Sequence, residues 1–135
     1  LEFRRVLFRS AAFAGVAIAH GMFELPLFSA SQHVRTGAAQ WGSEVVATCG
    51  LLVVILSCAK HRGEAVPYAV GSYIAAAYWF TASTSFANPA VTLARSLSDS
   101  FAGIRPVVAP GFVAAQIVGA LSALAVARWL ASSRG

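Results

Sequence analysis

The segment TSFANPAVTLARS, residues 84–96, sets an asparagine directly before a proline inside one of the most apolar parts of the chain. An asparagine in that place has two uses. Its side-chain oxygen can accept the free N–H groups at a helix start, while its NH₂ remains a donor for something else. Pro89 suits the first helical position, where an N–H would go unsatisfied anyway. The pair predicts a helix capped by Asn88 and carried by AVTLARSLS to about Ser98, where Asp99, Ser100 and the Gly103 to Pro106 loop stop it. Ten residues at about 1.5 Å rise make roughly 15 Å, half the thickness of bilayer hydrocarbon.

Other residues carry chemistry nearby. Glu44 lies early in a long apolar run, and a carboxylate inside a span is costly unless it is paired. Arg95 returns to nearly the same helix face as Asn88, about 10 Å nearer the outer surface. Asp99, four residues on, is its expected ion-pair partner, and a direct role for Arg95 in a vestibule is the alternative. His20 and Glu24, also four apart, read as an interfacial pair, with a proton site as the alternative. Cys49 and Cys58 lie too far apart along one helix to bond and read as buried free thiols. No metal-ligand cluster, nucleophile motif or phosphate-binding loop is legible, so neither catalytic residues, metal nor cofactor is expected, and an enzyme is not the reading.

The elements that hold these residues follow from composition. Of 135 residues 58% are hydrophobic and only 11% charged, and mean hydropathy is +0.70. That balance is too apolar for an ordinary soluble domain and indicates an all-α membrane protein. Four apolar segments, residues 11–28, 41–59, 66–86 and 110–131, are each close to the roughly 20 residues a spanning helix needs. Gly111, Ala115, Gly119 and Ala123 recur every four residues in the last, a small-residue stripe that lets helix backbones approach. Trp41, Trp79 and Trp129 fall near span ends, where indole rings favour the interface.

The net charge of +5 is partly local. The first ten residues, LEFRRVLFRS, supply three bases and one acid, and the rest holds seven bases against four acids, a net of +3. So small an excess suits topology, and no nucleic-acid partner is expected. Residues 1–10 read as a non-native scar joined to a chain that has lost its true beginning.

The short helix must avoid lipid, because irregular backbone cannot satisfy its N–H and C=O groups there. It therefore re-enters a cavity lined by protein or water, its N-terminus at the membrane centre with about half a positive charge. Such a waist, with Asn88 as a fixed donor, accepts a neutral solute through its oxygen and repels cations.

Asn88-Pro89-Ala90 followed by VTLAR, after two spans and before one, resembles the aquaporin and glycerol-facilitator family, over about Ala11 to Leu130. The resemblance implies an aquaporin-like bundle of two inverted repeats whose half-helices meet at the pore centre. Residues 11–28, 41–59, 66–86 and 110–131 then stand for the third to sixth spans and residues 87–98 for the second re-entrant segment, the earlier spans and first Asn-Pro-Ala being absent. Lys60, Arg62, Arg128 and Arg134 inside, against Arg35, Arg95 and Arg105 outside, make the positive-inside bias four to three.

By the same resemblance, Asn88, Pro89 and Ala90 form the constriction, and Glu44 accepts backbone N–H groups of the re-entrant loop. Val91, Ser85 and Ala76 take the selectivity-filter positions. The family usually has arginine where Val91 stands, so the filter is expected to be wider and less polar than a water-selective one. The run SFANPAVTLARSLSDSFAGIRP is similar to a bacterial branch associated with arsenic resistance. The implied function is passive conduction of water, glycerol-like polyols and neutral arsenite by a homotetramer in the inner membrane. The alternatives are a secondary transporter with a broken helix and an incomplete fragment inactive by itself.

Overall fold

A computed structural model describes residues 2–132, with side chains from Ser10 onward. Every regular element among them is helical: α1 (Glu2–Met22), α2 (Ala38–His61), α3 (Val66–Phe80), α4 (Pro89–Arg95) and α5 (Ala109–Ser132), with 3₁₀ turns at Gly63–Ala65 and Pro106–Val108. The all-helical architecture is the one expected of an aquaporin-like bundle. Ala38–His61 and Pro106–Ser132 are each long and apolar enough to cross a bilayer.

The most extensive helix pair is α2 against α5, and α3 also packs on α2. The small-residue stripe makes the first contact possible. Ala115, Gly119 and Ala123 are buried, and a Cβ on Gly119 would stand 2.6 Å from the Val45 carbonyl oxygen and 2.9 Å from Thr48 Cβ. Only a residue without a side chain lets the two backbones come that close. Trp41, Trp79 and Trp129 are all exposed near helix ends.

Three elements are shorter than the sequence predicts. The segment read as 66–86 is helical only to Phe80, because Thr81 turns extended (φ −105°, ψ 135°) and spends both its N–H and its hydroxyl on the Ala77 carbonyl. Fifteen residues span about 22 Å, and the chain from Thr81 to Asn88 is non-helical backbone. The segment read as 11–28 ends at Met22. There the Leu25 N–H bonds the His20 carbonyl (2.8 Å) across Glu24, which adopts φ 55°. This is the left-handed helix stop usually made by glycine. The half-helix ends at Arg95, three residues early, as Ser96, Leu97 and Ser98 close 3₁₀-type turns on the carbonyls before them. Within α1 no break marks Ala11; of the scar assigned to residues 1–10, the side chains of 1–9 lie outside the described residues, as does Arg134.

The connection between α1 and α2 lies along the segment after α4. Ser29 and Ser31 N–H groups bond the carbonyls of Leu97 and Ser96 (both 3.0 Å), and the Arg105 N–H bonds the His33 carbonyl at 2.8 Å. Gly103 is pressed into this seam, with space for no Cβ between the Ser98 carbonyl and the Ser31 side chain. Two irregular strands of chain thereby satisfy each other's backbone and brace α4.

Candidate functional site: a capped half-helix on a buried carboxylate

Asn88 sits in extended backbone (φ −159°, ψ 125°), and its Oδ1 accepts the Ala90 N–H at 2.8 Å. Because a backbone N–H must donate, the oxygen is the atom turned to the helix. The NH₂ makes no hydrogen bond among the described residues. Pro89 opens α4, and the Thr92 N–H and hydroxyl both bond the Asn88 carbonyl (3.0 Å each). The first turn is thus capped by side chain and backbone together.

The loop entering this turn is bent into an unusual shape. Thr84, Ser85 and Ala87 have φ of 59°, 48° and 49°, each a conformation that costs a side-chain-bearing residue on the order of 1–3 kcal/mol. Glu44 holds it there. Its fully buried carboxylate accepts the Phe86 N–H at 3.3 Å and the Ala87 N–H. Gln116 of α5 donates to the same carboxylate at 2.9 Å and to the Thr92 hydroxyl at 2.8 Å. One buried acid from α2 thereby joins the loop, the half-helix and α5.

The three residues assigned to the filter sit in different surroundings. Val91 is half-buried and packs on Phe86, Ile104 and Phe112. Ser85 is buried with its hydroxyl unpartnered. Ala76 lies exposed on α3, where the neighbouring Ala77 takes the buried position.

Arg95 departs from the ion pair expected of it. Its guanidinium stacks over the Phe86 ring, 3.7 Å from the centroid, and donates to the Ala102 carbonyl and, at 2.9 Å, to the Thr84 hydroxyl. Asp99 instead accepts the Gln32 N–H at 2.8 Å. The reason is the early end of α4: past Arg95 the chain no longer follows the helix face that would have aligned i and i+4. Arg35, from the connection before α2, approaches the same ring (5.5 Å) and donates to the carbonyls of Gly103, Ser83 and Phe101. Its burial pulls the guanidinium below its usual pKa, with Tyr78 and Glu44 pulling the other way.

His20 also departs from expectation. The Nδ1 lies 2.6 Å from the Pro26 carbonyl, which can only accept, so that nitrogen carries the proton. Nε2 meets the Ser98 hydroxyl at 2.8 Å. Glu24 stands exposed at the helix stop. Cys49 and Cys58 are free and half-buried.

Gln116, Thr84 and Arg35 were not singled out from sequence. Gln116 carried a signal, being an amide inside an apolar segment, the same cost argument that marks Glu44. For Arg35 and Thr84 no local pattern exists, because their partners lie up to 68 positions away.

Aquaglyceroporin AqpS of Rhizobium meliloti (strain 1021) is 60% identical to this chain over 121 residues, 90% of the chain and 52% of the relative. The chain belongs to the aquaporin and glycerol-facilitator family. Members of that family are channels, and this chain spans about half the length of the curated relative it matches. No family model matches, and no solved structure matches.

Proposed function

We propose that this chain supplies the second half of a passive channel for water and small uncharged solutes of glycerol-like size. The carrying observation is the Asn88-capped half-helix seated on the Glu44 carboxylate. A donor fixed at the start of a short, capped helix suits neutral solutes with oxygen acceptors and disfavours cations. Asn88, Pro89 and Ala90 form the constriction in this reading.

Val91, Ser85 and Ala76 are its filter positions. Where the family usually has arginine, Val91 adds apolar surface to the Phe86 cluster. The positive charge near the mouth comes instead from Arg95, which with Tyr78, Ser98 and Phe101 lines a cavity of about 670 Å³. That arrangement favours a wider, less polar filter and admits neutral arsenite as a candidate solute. The bilayer side bearing Lys60, Arg62 and Arg128 is cytoplasmic, the protein is multi-pass in the inner membrane, and the complete channel is a homotetramer.

The test uses a chimera in which the 121 matched residues replace their counterparts in the Rhizobium meliloti aquaglyceroporin, reconstituted in proteoliposomes. Val91→Arg is expected to lower glycerol permeability about tenfold, an added barrier near 1.4 kcal/mol, with a much smaller fall for water. Equal reductions of both fluxes would remove Val91 from the filter. Glycerol flux that required a proton or sodium gradient would favour a secondary transporter.

A further inference from the structure

A second cavity, of about 410 Å³, lies at the other end of the α2–α5 pair from Asn88. Its lining includes Lys60 and His61 from the last turn of α2 and Arg128 from α5, together with the apolar Leu56, Leu124 and Leu130. Lys60, His61 and Arg128 are exposed. No acid is among its lining residues; Glu64, on the next 3₁₀ turn, stands outside it.

The two kinds of lining residue together narrow the occupant. A small soluble anion would meet the cations and leave the leucines wet, whereas a plain hydrocarbon chain would cover the leucines and leave the cations unanswered. A molecule with a phosphate at one end and acyl chains at the other satisfies both. Depth agrees. Arg128 is followed by Trp129, which is 68% exposed, and an exposed indole beside a basic residue at a span end marks the headgroup level. Basic pockets between spanning helices on the cytoplasmic side face the leaflet rich in anionic lipid.

We infer that this cavity seats the phosphate of an anionic phospholipid between Lys60 and Arg128, with acyl chains along Leu56, Leu124 and Leu130. The inference rests on the proposed orientation of α2 and α5 in a bilayer but is independent of conduction, so failure of the proposed channel activity leaves it standing. It also gives the α2–α5 pair a ligand common to both helices.

The test is lipid binding to the full chain in mild detergent, read by native mass spectrometry and by the shift in thermal unfolding. Phosphatidylglycerol is expected to bind and stabilise, and phosphatidylcholine to do so much less. Replacing both Lys60→Gln and Arg128→Gln should weaken phosphatidylglycerol about thirtyfold, while Arg62→Gln, outside the lining, changes it by less than about twofold. If circular dichroism shows that the double variant has lost helix, the two single variants carry the comparison. Equal binding of the two lipids, or an unchanged double variant, overturns the inference. So does a loss as large in Arg62→Gln, which would mean diffuse surface charge. Stabilisation by inorganic phosphate equal to that by the lipid overturns it as well, since that outcome describes a site for a free ion.

Discussion

At the scale of single residues, the decisive group is Glu44. It is fully buried and answers three donors from two other parts of the chain, two of them N–H groups of a loop with three left-handed residues. Glutamine in its place keeps the shape but removes the charge and turns an NH₂ toward donors. Hydrogen bonds to a charged group contribute about 1.5–3 kcal/mol each, so Glu44→Gln should cost the full chain about 2–4 kcal/mol in detergent unfolding. A loss below about 0.5 kcal/mol, the range of a bland surface change, would show that the loop is held by other contacts. Glu44 was legible in sequence because a lone acid in an apolar run must have a partner. Which partners it has was not legible, since Gln116 is 72 positions away.

At the scale of elements, α2 and α5 depend on one close crossing. At Gly119 an added methyl would lie 2.6 Å from the Val45 carbonyl oxygen, whereas at Gly42 nothing lies within 4 Å. Gly119→Ala should therefore force the helices apart and cost about 1–3 kcal/mol. Gly42→Ala should be neutral or stabilising by up to about 1 kcal/mol, as alanine is the better helix former. Thermal unfolding of both variants followed by circular dichroism separates the two, and equal effects would mean that the stripe does not set the crossing. The stripe itself was legible from its four-residue spacing. The helix ends were not. Apolar composition continues past Phe80 and Met22, so hydropathy alone extends both segments, and the stops lie in backbone turns at Thr81 and Glu24 that composition does not encode.

At the scale of the whole molecule, orientation follows from charge and from the path of the chain. The connection holding Ala30 braces the segment after α4, and Lys60, Arg62 and Arg128 gather at the opposite helix ends. In right-side-out vesicles, with Cys49 and Cys58 replaced by alanine, Ala30→Cys should react with an impermeant thiol reagent added outside. Arg62→Cys should react only after the vesicles are opened. The reverse pattern would invert the topology and place the re-entrant loop on the cytoplasmic side.

By itself, the sequence determined the fold class, the family and the existence of a capped half-helix. These depend on local quantities: apolar run length, the free N–H groups of a helix start, and the cost of an unpaired charge in hydrocarbon. The tertiary structure alone decided where the basic side chains go. Arg95 leaves Asp99 for Phe86 and Thr84, Arg35 joins it from a distant loop, and His20 turns to Pro26 and Ser98. A buried guanidinium takes whichever carbonyls and aromatic face are within reach, and reach is set by how the chain returns on itself.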